Sequence, residues 1–188
     1  VQPIFNDDKS VDELIHSLEC LSTQEYRRIF KLLYDSGILF KRGGKYRLSP
    51  DMLADYIIEE ACVGVENQST GYAEKALGLI NTSLSENILC NVGKLDRRIS
   101  SDGKVDTCIL NNIWQFIQSS EEKLQNYASS IKAVAYYQPK VALDYVERCI
   151  RLKLKISELP EIANLSAYNY EYVPMACECL WELGKNED

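Results

Sequence analysis

Asp35-Ser36-Gly37-Ile38-Leu39-Phe40-Lys41-Arg42-Gly43-Gly44-Lys45-Tyr46-Arg47-Leu48-Ser49-Pro50 is the stretch that decides the fold. Ile38-Leu39-Phe40 and Tyr46-Arg47-Leu48 flank a basic turn with two glycines, the pattern of two short antiparallel strands. It is the chain's one convincing strand signal. Before it, Ser22 or Thr23 can cap a helix running to about Asp35, with Tyr26, Ile29, Phe30 and Leu33 at i, i+3, i+4 and i+7. Gly37 is placed to end that helix in the left-handed conformation. Further upstream, Val11 to Leu21 reads as a short helix, with Ser10 as N-cap and Glu13 completing a capping box. Downstream, Pro50 stands at a helix N-terminus, and Met52, Leu53, Tyr56, Ile57 and Ala61 line one face of a helix reaching about Val63. Helix, helix, hairpin, helix is the order of a winged-helix domain, expected over residues 1–66 with the hairpin as a small β wing.

Residues 67–188 show no strand, only helices separated by short polar punctuation. The expected starts fall near Tyr72, Asp106, Lys140 and Tyr172, 34, 34 and 32 residues apart, the interval of a two-helix repeat. The first helix of each pair carries a small residue and its neighbour: Ala76-Leu77, Cys108-Ile109, Ala142-Leu143 and Ala176-Cys177. Second helices fit residues 85–99 and 121–138, the latter with Leu124, Tyr127, Ala128, Ile131 and Ala135 on one face. A third partner, Ile156 to Tyr170, is expected to be broken by Pro160. The fold class is therefore mainly α: a winged-helix domain followed by an α-helical repeat, solenoid-like, or a bundle.

Composition fits this reading. The chain has 188 residues, 46% apolar and 26% charged, with 9 Gly and 5 Pro, which excludes disordered and collagen-like classes. No apolar run approaches the roughly 20 residues of a membrane helix. Seven cysteines, an odd number irregularly spaced in apolar stretches, read as reduced thiols packed like small hydrophobes, so a cytoplasmic location is expected. Matches to N-x-S/T at Asn67, Asn81 and Asn164 carry weight only in a secreted chain. The first residue is Val1, so a piece of a longer protein is expected.

Little in the chain is arranged for catalysis. Gly43-Gly44-Lys45 resembles the end of a phosphate-binding loop, but Leu39 and Tyr46 stand where that loop needs Gly and Ser or Thr. His16 is the only histidine, which excludes a His-based metal cluster or a Ser-His-Asp arrangement within the chain. Cys177 and Cys179 lie about 200° apart on a helix and cannot grip one metal together; both read as packing residues. Glu59-Glu60 and Glu121-Glu122 fall where solvated helix faces want carboxylates. No catalytic residue, metal ligand or cofactor is expected.

Two surfaces remain. Residues 22–48 hold seven basic side chains against two acidic ones, a net of +5 within a chain of net charge -7. Arg27, Arg28 and Lys31 fall opposite the apolar stripe of their helix, and Lys41, Arg42 and Lys45 crown the hairpin, the distribution a DNA-binding winged helix would need. A solvated face needs no partner, and the acidic remainder, Asp35 and the scarcity of Asn or Gln beyond Gln24 favour that simpler reading. The second surface is aromatic. Of twelve tyrosines, seven lie within residues 127–172, among them Tyr127, Tyr136, Tyr137, Tyr168, Tyr170 and Tyr172. The helical period fails over Ala167 to Tyr172, which makes Tyr168, Tyr170 and Tyr172 candidate contacts for a protein partner, with core filling as the alternative.

The run from Asp35 to Leu48, continued by Ser49-Pro50-Asp51-Met52-Leu53-Ala54-Asp55-Tyr56, resembles the winged-helix segment that follows the nucleotide-binding core of bacterial STAND-type P-loop NTPases. There an apolar strand, a basic hairpin and a P-D-x-L-A-D stretch lead into helical repeats. Cys179-Leu180-Trp181-Glu182-Leu183-Gly184 is similar to helix ends in those repeats. The resemblance covers the first third of the chain. It implies a non-enzymatic regulatory and protein-interaction module, in signalling or antiviral defence. Its partners would be the parent's nucleotide core and a protein trigger. The family's phosphate loop and metal-binding acids lie upstream and have no counterpart here. The rival reading is a DNA-binding regulator whose winged helix is joined to a helical sensing or dimerising domain.

Overall fold

Ser22 starts the first helix seen in the computed structural model, which describes residues 22–42, 45–65, 68–79, 82–101 and 109–185. The Ser22 hydroxyl accepts from the Glu25 amide while the Glu25 carboxylate accepts from the Ser22 amide, a capping box not anticipated from sequence. Helix α1 spans Thr23–Asp35, and Gly37 follows at φ +76° as expected. The expected helix over residues 11–21, His16 and the glycines of the turn lie outside the described residues.

Strands β1 (Leu39–Arg42) and β2 (Lys45–Leu48) pair antiparallel, with Leu39 opposite Leu48 and Arg42 opposite Lys45. Toward the turn, β1 runs two residues and β2 one residue further than the apolar pattern alone suggests. The hairpin leans on α1 through Tyr46, whose ring meets Phe30 at 4.8 Å and Tyr34 at 5.9 Å, both edge-to-face.

Helix α2 (Asp51–Cys62) turns a different face inward from the one expected. Ala54 and Cys62 are buried and Leu53, Ile58 and Ala61 half-buried, whereas Met52, Tyr56 and Ile57 stand in solvent. The reason is that α2 serves two neighbours. Leu39 and Ala54 are buried apart from the main cluster, while Cys62, with Ile58 and Ala61 against it, belongs to that cluster. Small residues on the inward side let the helix approach closely, and the larger ones were left outside.

The remaining helices are α3 (Tyr72–Leu79), α4 (Thr82–Ser101), α5 (Ile109–Ile117), α6 (Glu121–Asn126), α7 (Ala128–Val134), α8 (Pro139–Arg151), α9 (Leu159–Ser166) and α10 (Val173–Lys185). The described part is mainly helical, with one small two-stranded sheet. Helices start at Tyr72, Pro139 and Val173, each within one residue of its expected place, and the expected start near Asp106 lies outside the described residues. Residues 121–138 do not form one helix. Tyr127, at φ -100° and ψ 8°, separates α6 from α7, and its hydroxyl donates to the Leu77 carbonyl at 2.8 Å. Pro160 breaks nothing, because it sits in the first turn of α9 where no amide donor is required.

Helix α4 is the spine. Against α7 it buries a Ser85–Ser130 hydroxyl pair at 2.8 Å and brings Gly93 close to Val134. Gln138 then donates to the Gly93 carbonyl at 3.0 Å. Toward α2 the contact is ionic: Arg98 reaches Glu59 at 2.7 Å and Asp55 at 3.3 Å. Around this spine Leu77, Leu89, Ile113, Ile131, Leu143, Tyr145 and Ile162 form the fully buried centre.

Candidate functional site

The basic residues of α1 and the hairpin form a surface with partly satisfied charge. Arg27, Arg28 and Lys31 are exposed on α1, and Lys41 and Arg42 are exposed on β1. Lys45 pairs with Arg42 by strand register. Lys31 is held by Asp35 at 2.7 Å, one turn along the helix, and the Lys41 ammonium lies 5.4 Å from the centre of the Tyr46 ring. The Glu25 carboxyl is held below its usual pKa by the Ser22 hydrogen bonds, with a smaller contribution from Arg28. At least two of the six cations thus already have partners within the same unit.

The aromatic surface is more open. Tyr136, at the end of α7, meets Tyr137 at 5.4 Å and Tyr168 at 6.3 Å, so the turns after α7 and α9 are joined by tyrosine rings. Tyr168 is 71% exposed and Tyr170 91% exposed. Tyr172 is different: it closes a 3-10 turn over Tyr170–Tyr172 and packs half-buried against the core. The turn itself is held by Asn169, whose side chain accepts from the Glu171 amide at 3.3 Å. Tyr136 and Tyr137, singled out by sequence only as part of the tyrosine run, belong to the same edge. Their link to Tyr168 is a long-range contact that no local pattern reports. The Lys94 ammonium from α4 lies 5.2 Å from the Tyr137 ring centre, extending the edge toward the spine.

Because Tyr168 and Tyr170 meet mostly water, Tyr168→Ser and Tyr170→Ser are each expected to change stability by no more than about 0.5 kcal/mol. Thermal unfolding followed by circular dichroism checks this. A fall of several degrees for both would return these rings to the core.

Elsewhere the chemistry is muted. A cleft of about 210 Å³ between α2 and α4 is lined by Asp55, Ile58, Asn91, Lys94, Leu95 and Arg98, and its Arg98 is taken up by Asp55 and Glu59. Burial pushes the Cys62, Cys149 and Cys179 thiols up to about 11, which keeps them protonated and unreactive near neutral pH. Cys177 is exposed, contrary to its expected packing role, while Cys179 two residues on is buried, as opposite helix faces require. Among the described residues no group of three or more His, Cys, Asp or Glu side chains could hold a metal, and no helix is long and apolar enough to cross a membrane.

No known protein-family model, curated protein or solved structure matches the chain. Its functional reading therefore rests on the surfaces just described.

Proposed function

We propose that the chain is a non-catalytic regulatory and protein-interaction module of a larger STAND-type NTPase, acting in signalling or antiviral defence. The observation that carries the protein-interaction part is the tyrosine edge. Aromatic rings at the ends of α7 and α9 are joined edge-to-face yet open to solvent, on helices whose inner faces are fully buried. Tyrosine supplies a large apolar surface with a polar tip at little entropic cost, which suits a protein partner. The winged-helix reading of residues 1–66 and the helical-repeat reading of residues 67–188 add the resemblance to the regulatory region of that family.

The parent reading frame tests this. A phosphate loop should lie upstream of Val1, and the parent protein should hydrolyse ATP. Tyr168→Ser combined with Tyr170→Ser should abolish stimulation by the trigger and leave basal hydrolysis unchanged. An upstream region without a phosphate loop, or an undiminished response in the double variant, overturns the reading.

The rival, a winged-helix regulator of transcription, predicts salt-sensitive retardation of duplex DNA, lost on changing Arg28 and Lys31 to Glu. Duplex DNA is expected to run unretarded at low salt, because Lys31 and Lys41 are engaged within the unit and the whole chain is acidic. Retardation removed by those two substitutions would favour the rival.

A further inference from the structure

Helices α1 and α2 leave apolar side chains in solvent, and their surroundings differ in sign. On α1, Ile29 and Leu32 are exposed one turn apart, with Leu32 59% exposed. At about 100° per residue, Arg28 lies beside them on the helix surface. No described residue of α1 is buried. On α2, Met52 is 81% exposed, and Tyr56 and Ile57 are exposed a turn further on. The same helical geometry puts Glu60 on one side of the Met52–Tyr56 stripe and Asp55 and Glu59 on the other. Helix α2 carries four carboxylates and no basic residue, whereas residues 22–48 carry a net of +5.

We propose that the chain pairs with a second copy of itself, α1 of each protomer lying against α2 of the other. One protomer thus offers both halves of the match: an apolar pair beside a cation, and an apolar stripe between carboxylates. A two-fold axis uses each half twice, which makes the surface complementary to itself. Opposite charges fix the register and direct encounter, while burial of Leu32, Met52, Tyr56 and their neighbours supplies the main attraction. Met52 is suited to this role because its unbranched side chain adapts to the surface it meets. Helix α2 is also held from behind, by Arg98 on Asp55 and Glu59 and by Cys62 in the core, so little order need be gained on pairing. Unlike Asp55 and Glu59, Glu60 is not taken up by Arg98; it accepts from the Tyr56 hydroxyl, and Arg28 acts on Glu25 within its own helix, contacts that leave both exposed groups able to meet across the interface.

This inference goes beyond the proposed function. Its test leaves the tyrosine edge untouched, so either can fail alone. Sedimentation equilibrium of the whole chain over a concentration series should give a mass rising toward twice that of the protomer, and added salt should shift the balance toward monomer. Arg28→Glu and Glu60→Lys, each examined alone, should be monomeric, because both copies of the contact then set like charges together. Mixing the two variants should restore the dimer: at one contact the introduced glutamate on α1 faces the introduced lysine on α2, and at the other the unaltered Arg28 faces the unaltered Glu60. Met52→Ser should weaken pairing at least tenfold without lowering the thermal midpoint measured at concentrations where both proteins are monomeric. A chain that is monomeric throughout overturns the proposal, as does a dimer indifferent to Arg28→Glu, Glu60→Lys and Met52→Ser. So does a mixture that stays monomeric while both variants keep the wild-type circular dichroism.

Discussion

Gly93→Ala is expected to destabilise the protein by about 1–3 kcal/mol, against the usual benefit of replacing glycine inside a helix. Gly93 lies in the middle of α4, where alanine would ordinarily gain close to 1 kcal/mol. A Cβ there would stand inside the contact distance of Val134 Cγ2, with Gln138 Cγ already in contact at 3.4 Å. Val134 is fully buried and β-branched, so it cannot turn aside without disturbing its own neighbours. The substitution therefore pushes α4 away from α7 and strains the Ser85–Ser130 pair. Chemical denaturation of Gly93→Ala, Val134→Ala and the double variant measures the effect. The double variant should be more stable than the sum of the single losses implies, because removing the valine methyls makes room for the new one. A stabilised Gly93→Ala protein would show that the two helices can separate at no cost.

Tyr145→Ala should cost more, about 3–5 kcal/mol, by removing a ring at the centre of the core. Tyr145 is fully buried in α8, meets Trp114 edge-to-face at 6.0 Å, and donates its hydroxyl to the Leu124 carbonyl at 2.7 Å. That carbonyl belongs to the end of α6, where the helix stops before Tyr127. Tyr145→Phe keeps the ring and loses the donor, so it should cost about 1–3 kcal/mol, the penalty for a buried acceptor left unpaired. Burial pushes the Tyr145 pKa upward. The unfolded chain ionises near the ordinary value of 10.0 while the folded one stays neutral. Its contribution is therefore complete below that pH and is lost as pH rises above it. Denaturation of wild type and Tyr145→Phe at neutral and alkaline pH separates these parts: the gap between them should narrow in alkali. An equal gap at both would show that ionisation of this tyrosine in the unfolded chain contributes nothing.

Legibility of the fold followed the range of the interactions involved. The start and end of α1 and the hairpin could be read because Ser22, Gly37 and the alternation around the basic turn act within a few residues of themselves. The face that α2 buries could not, since Met52 and Ile57 look like core residues locally and lose their places to Ala54 and Cys62 through two separate neighbours. The break at Tyr127 was equally hidden: its cause is a hydroxyl reaching Leu77, fifty residues away in the chain. Pro160 was visible, but whether a proline breaks a helix or begins one depends on a boundary that the weak periodicity around it did not mark. Of the aromatic edge, Tyr168 and Tyr170 stood out because the helical period fails around them, whereas Tyr136 joined them only through the packing of α7 beside α9.

Helix α2 is a member of both the small core under the hairpin and the large core around α4, and this imposes an order on unfolding. Residues 22–48 can come away while α2 remains held by Cys62, Ile58, Ala61 and Arg98. The reverse is disfavoured: once the large core opens, the hairpin loses the support of α2 behind β2 and keeps only α1, through Tyr46, to pack against. The amides of α1 and the strands should accordingly exchange with solvent hydrogen through a local opening, at a free energy below that of the whole molecule, while those in the second half of α2 exchange together with α4. A cut near residue 66 would sever the Arg98 ion pairs with Asp55 and Glu59 and take Cys62 from the large core. A fragment beginning there would inherit Arg98 without its carboxylates and a core with one wall missing, so the two parts of this protein share a single fate more closely than their sequences suggest.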